Sequence, residues 1–114
     1  MGACTFHQLV VGRFKNVSDG YAKANEEAKD ENGHQQGYSG DIQTIDFPLF
    51  TRKHPRFGTK AFDKWEQDKL DKLGKREGIV IELTGAVLKR YKDNRGWKGC
   101  RNIRGYYFFG WGAC

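Results

Sequence analysis

The sequence predicts an α+β fold: one mainly antiparallel sheet of about five strands with two helices packed on one face, in the order β-α-β-α-β-β-β. Three observations carry this. Alternating or β-branched apolar segments open and close the chain, and two stretches between them repeat small or apolar residues at helical spacing. Fifteen glycines among 114 residues, well above the usual share of roughly 7%, punctuate the chain at intervals as turns do. At this length a single domain, 1–114, with one core is expected.

The first strand covers Thr5–Phe14, with Phe6 and Val10 on one face and Leu9 and Val11 on the other. Apolar residues on both faces mark it as an inner strand. Asn16-Val17-Ser18-Asp19 then opens a helix, with Ser18 as N-cap and Asp19 in the first turn, where a carboxylate complements the helix dipole. Tyr21, Ala24 and Ala28 recur at helical spacing. Side chains this small let the helix lie close against a sheet, and Gly33 stands at its C-cap. A polar, glycine-rich turn over 33–40 leads into a second strand, Asp41–Phe50. There Ile45, Phe47 and Leu49 share a face, while Ile42 is out of phase. Pro48 lacks a ladder donor and places this strand at an edge.

After a basic loop, Thr51–Gly58, Thr59 caps a second helix. Phe62, Trp65, Leu70 and Leu73 form its core stripe, and Gly74 stands at its end. Its other face alternates charge sign at i, i+4, the pattern of a solvated surface. Ile79–Leu83, Ala86–Lys92, Trp97–Arg104 and Tyr106–Trp111 then read as a meander of strands. Its turns fall at Thr84-Gly85 and Asp93-Asn94-Arg95-Gly96.

The formal charge is +6 and unevenly placed: residues 1–50 carry a net −3, residues 51–77 a net +4 and residues 78–114 a net +5. The basic excess coincides with aromatics. The candidate binding surface is Arg95, Lys98, Arg101 and Arg104 interleaved with Trp97, Tyr106, Tyr107 and Trp111, extended by Arg52, Lys53 and Arg56 of the basic loop. Cations can hold phosphates and rings can stack bases. The same pattern also fits rings filling a core beneath a charged outer face.

Several function classes are set aside. No apolar run approaches the roughly 18–20 residues of a membrane span, and the N-terminus lacks a signal-peptide pattern. Met1-Gly2-Ala3-Cys4 has Phe6 where a myristoylation motif needs Ser or Thr. Phosphate-binding, dinucleotide, nucleophile-elbow and zincin motifs are missing. Cys4, His7, Cys100 and Cys114 are too loosely spaced to argue for zinc, and three cysteines argue against a disulfide framework. Cys4 and His7 stand at i, i+3 on one strand and point to opposite faces, which disfavours a thiolate–imidazole pair. His34 falls in the polar turn. His54 lies among Arg52, Lys53 and Arg56, the composition of a phosphate-binding or nuclease-like loop, with no carboxylate beside it in the sequence. No catalytic residue, metal or cofactor is expected, and the chain reads as a non-enzyme.

Met1-Gly2 with Thr5-Phe6, then Ala24 and Ala28, then Gly33 and Gly37-Tyr38-Ser39-Gly40-Asp41-Ile42 resemble a pattern found in small accessory proteins of tailed bacteriophages. The resemblance covers about 40 of the 114 residues and leaves out the basic region. It implies a phage or prophage gene expressed in the host bacterial cytoplasm. A protein of that origin is expected to occupy a host protein or ribonucleoprotein complex that handles nucleic acid or defends against phage. Aromatic anchors would supply affinity and the basic rim would speed association. Direct DNA or RNA binding by the same surface is the alternative. A second is sequestration of a signalling nucleotide against the 33–40 turn. No membrane partner is expected.

Overall fold

The structure is a computed structural model that describes residues 3–32 and 42–113. A four-stranded mixed sheet forms its middle layer, with strands β1 (Ala3–Gly12), β2 (Leu49–Phe50), β3 (Gly78–Leu83) and β4 (Arg104–Ala113). Their spatial order is β1-β4-β3-β2. β4 pairs antiparallel with both β1 and β3, from Ala3↔Ala113 to Gly12↔Arg104 on one side and from Gly78↔Gly110 to Leu83↔Gly105 on the other. β2 pairs parallel with β3. Three helices complete the fold: α1 (Val17–Asn32), α2 (Lys60–Lys72) and α3 (Gly85–Asn94).

The α+β class agrees with the sequence reading; the layering does not. The helices cover both faces of the sheet. On one, Ala24 and Ala28 of α1 pack with Phe6, Val10, Tyr106 and Phe108. On the other, Phe62 and Leu70 of α2 and Val87, Leu88 and Tyr91 of α3 pack with Ile81, Tyr107 and Phe109. This explains the two-sided apolar pattern of β1, which is an edge strand and not an inner one: its alternating residues feed two cores. Pro48 does precede an edge strand, but β2 has only two residues. The segment before it holds a 3₁₀ turn, Ile42–Thr44, whose Ile42 is buried.

The predicted strand Ala86–Lys92 is α3, and the predicted hairpin turn at 93–96 is its C-terminal end. Val87, Leu88 and Tyr91 are spaced i, i+1, i+4, one helical stripe, and all three pack partly buried against the α2 core. Residues 97–103 form turns, with Gly99 at φ +75° and Asn102 at φ +61°. Asn16, not Ser18, caps α1: its Oδ1 accepts the Asp19 N–H at 3.1 Å, and Asp19 Oδ2 accepts the Lys15 N–H at 2.9 Å. Thr59 caps α2 as expected, its Oγ1 accepting the Phe62 N–H at 3.2 Å. The C-cap of α2 is Leu73, one residue before Gly74. The expected C-cap at Gly33 and the turn over 33–40 lie outside the described residues. Cys4 is disulfide-bonded, since an odd count still permits one bridge, and Cys100 is a free thiol.

Close approach explains two glycines. A Cβ on Gly20 of α1 would lie 2.5 Å from Cδ2 of the Tyr106 ring. One on Gly110 would run into the Glu77 carbonyl and lie 2.6 Å from Gly78 Cα.

Candidate functional site

Because β2 and β3 are parallel, the chain leaves both at the same end of the sheet. The Thr51 N–H donates to the Val80 carbonyl at 2.9 Å and prolongs their pairing by one residue. Loop 52–58 then rises to the α2 cap, where the Thr59 hydroxyl donates to the Arg56 carbonyl at 2.6 Å and holds the loop. β3 passes into α3 through Thr84, which has extended backbone (φ −137°, ψ 165°) and whose hydroxyl makes no capping hydrogen bond. The N-termini of α2, capped by Thr59, and of α3, whose Thr84 makes no side-chain cap bond, border one region.

That region holds three adjoining hollows of about 220, 500 and 370 Å³. The smallest, between Phe50, Arg52 and Thr84, shares His54, Glu82 and Thr84 with the largest. The largest shares Arg56, Phe57, Ala86 and Val87 with the third, which ends at Arg90 and Tyr91. The result is a cleft with cations along its length and rings in its wall. The Arg52 guanidinium lies 5.3 Å from the Phe50 ring centroid. His54 Nδ1 lies 2.8 Å from the Pro55 carbonyl oxygen. A carbonyl only accepts, so Nδ1 is the donor of this bond. The His54 ring is lodged against Phe62 and Trp65, with centroids 6.2 and 5.9 Å away.

A second polar cluster lies on the same face of the sheet, toward β1. Tyr107 Oη donates to Glu66 Oε2 at 2.5 Å, and His7 Nδ1 is 2.7 Å from the same hydroxyl and 3.4 Å from Glu66 Oε2. Burial, reinforced by the hydrogen bond to Glu66, pushes the Tyr107 phenol well above its usual range. The phenol keeps its proton and gives it to the carboxylate, so the contact with His7 needs a proton on Nδ1. Burial of Glu66 opposes its ionisation, but hydrogen bonds from His7 and Tyr107 outweigh that and hold its carboxyl below the usual range. His7, with 47% of its side chain exposed, borders an open hollow of about 450 Å³ at the β1 edge, lined also by Gln8, Arg95 and Glu27 and Asp30 of α1.

The sequence-predicted residues divide among these places. Arg52, Lys53 and Arg56 are exposed together on the loop at the first cleft. Arg104 opens β4 at the same end of the sheet, and its Nη1 donates to the Lys15 carbonyl at 2.8 Å. Arg95 reaches back to the Leu9 carbonyl at 3.4 Å. Lys98 and Arg101 are exposed in the turns after α3. Trp97 is half-buried, 5.8 Å from the Arg13 guanidinium. The other aromatics do not gather on one surface. Tyr106 and Tyr107 are neighbours on one strand and point to opposite faces. Tyr106 is 1% exposed within the α1 core. Trp111 is half-buried and donates from Nε1 to the Leu70 carbonyl at 2.7 Å.

Arg90 and Tyr91 belong to the same basic and aromatic stretch of the sequence but stand outside the predicted site residues, and the hollow they line was not foreseen because their helix reads locally as a strand. It missed Glu66 although a signal existed: Glu66 stands four residues after Phe62, on the apolar stripe of α2, where a carboxylate needs a partner. Among the described residues no set of three or more His, Cys, Asp and Glu side chains could hold a metal ion, and no helix is long and apolar enough to cross a membrane. In comparisons with known proteins, the chain matches no protein family, no curated protein and no solved structure.

Proposed function

We propose that the protein binds single-stranded nucleic acid along the cleft at the open end of β2 and β3. Phosphates would meet Arg52, Arg56 and Arg90, and bases would lie against Phe57 and Tyr91. The observation that carries this reading is the shared lining of the three hollows, which sets those side chains along one opening beside two helix N-termini. Ligands of open sheets with parallel strands favour this position, outside the carboxyl ends of the strands. Cations along a groove with rings in its wall are what sequence-tolerant single-strand binding requires. Docking to a host protein through Tyr106, Tyr107 and Trp111 has less support, because those rings are engaged in the two cores. In the phage setting that the N-terminal resemblance implies, a strand held in this cleft would be shielded from host nucleic-acid-handling or defence machinery.

Fluorescence anisotropy with labelled single-stranded RNA and DNA tests the reading. Three phosphate contacts on a single strand give a slope of about −2 in log affinity against log salt, or a loss of roughly 20-fold between 50 and 200 mM salt. The double reversal Arg56→Glu with Arg90→Glu should abolish binding at either salt, while Lys98→Glu with Arg101→Glu leaves most of it. No binding at 50 mM salt, or binding indifferent to the first pair, would overturn the proposal and send the search to a protein partner.

A further inference from the structure

The Glu66–Tyr107–His7 cluster has the arrangement of an oriented base. Glu66 accepts from Tyr107, and Tyr107 and Glu66 together face His7 Nδ1, at 2.7 and 3.4 Å. With Nδ1 committed as a donor, Nε2 is the position of the neutral ring that can accept a proton, and no partner for it occurs among the described residues. A carboxylate behind an imidazole fixes its tautomer and stabilises the imidazolium that forms when Nε2 takes a proton. A purely structural histidine on an edge strand needs neither a half-buried carboxylate nor an open hollow beside it. This one has both.

The cluster also adjoins the proposed binding cleft. The ring of Phe57, in the wall of that cleft, has its centroid 4.8 Å from that of Tyr107. α3 presents Arg90 and Tyr91 to the cleft, and Arg95, at its C-cap, borders the His7 hollow. The five residues from Arg90 to Arg95 rise about 7–8 Å along a helix. A strand following α3 therefore brings its next phosphate to Arg95, beside His7. Glu27 and Asp30 of α1, which also line this hollow, repel phosphate and leave Arg95 as its cation.

We propose that His7 is a general base that cleaves bound RNA by attack of a ribose 2′-hydroxyl on its own phosphodiester. This inference rests on the nucleic-acid reading above. Nε2 takes the 2′-hydroxyl proton, the O2′–P bond forms and the P–O5′ bond breaks. The departing O5′ takes a proton from water, and the imidazolium returns its proton to the hydroxide left behind. The products are a 2′,3′-cyclic phosphate and a free 5′-hydroxyl, with no change of oxidation state. Arg95 balances the charge that develops on phosphorus. Glu66 and Tyr107 are positioning residues.

The test uses the full chain and an end-labelled RNA of mixed sequence in EDTA, next to the same sequence as DNA, with products identified by mass. Cleavage of RNA alone, ending in cyclic phosphate, is expected. His7→Ala should slow it about 100-fold or more while anisotropy with the uncleavable DNA strand and the circular dichroism spectrum stay unchanged. Glu66→Gln should lower kcat with little change in KM, since it alters the base and not the binding surface. Strand binding with no RNA cleavage, or cleavage unaffected by His7→Ala, would overturn the catalytic proposal and leave the binding reading standing. Failure to bind either strand would remove the binding reading itself.

Discussion

Tyr107 has one hydroxyl proton and two polar neighbours, and Glu66 takes the proton. Tyr107→Phe leaves the half-buried carboxylate with only the longer His7 contact and removes the acceptor for His7 Nδ1. A net loss of about 1.5–3 kcal/mol is expected, the range for a hydrogen bond to a charged group, read as a lower urea midpoint with unchanged slope. The pH dependence has a definite sign. The Glu66 carboxyl is held below its ordinary 4.5 in the folded protein. As pH falls past 4.5, the unfolded chain takes up this proton before the folded one does. The contribution is therefore complete above that pH and disappears as pH falls through the lower folded value. Glu66→Gln should remove this part of the acid sensitivity, so the wild type loses its advantage over the variant as pH falls below 4.5, read from urea midpoints across that range. At this scale the sequence was only partly legible. His54 could be placed in a basic loop, but the partnership of His7 with residues 59 and 100 positions away depends on strand order, which no local pattern encodes.

At the scale of elements, α1 and β4 each carry a glycine pressed against a neighbour, and the neighbours differ. Beside Gly20 stands the edge of the Tyr106 ring, a side chain that can tilt. Beside Gly110 stand the backbone atoms of residues 77 and 78. Gly110→Ala should therefore cost more than Gly20→Ala, at the top of or beyond the roughly 1–3 kcal/mol typical of overpacking, in parallel thermal unfolding. The elements easiest to read were those whose local chemistry and packing agree. Thr59 with Phe62, Trp65, Leu70 and Leu73 announces α2, and the small stripe Ala24 and Ala28 announces a helix close to a sheet. α3 was misread because Val87 and Tyr91 favour strands locally and the run Ala86–Lys92 is too short for alternation and helical repeat to separate. The two-layer expectation failed for a related reason: the apolar residues on both faces of β1 distinguish a covered sheet from an inner strand only once the partners are known.

For the molecule as a whole, the decisive element is β4, the one strand bonded to both β1 and β3. A chain ending at residue 103 keeps β1, the β2–α2–β3 unit and all three helices in its sequence, yet nothing joins β1 to β3. It also lacks Tyr106 and Phe108 from one core and Phe109 from the other. It should give no cooperative unfolding transition by circular dichroism, whereas the chain through residue 113 should give one.

The pairing of Ala3 with Ala113 also makes folding a matter of timing. During synthesis the first strand leaves the ribosome long before its partner exists, and β3 too must wait for its antiparallel neighbour. The early chain can form helices and the short parallel pair, but its longest ladder closes only after residue 113 has emerged. Closure over that span is entropically slow, so in the interval β1 offers an unpaired edge, including Leu9-Val10-Val11, to whatever strand it meets first.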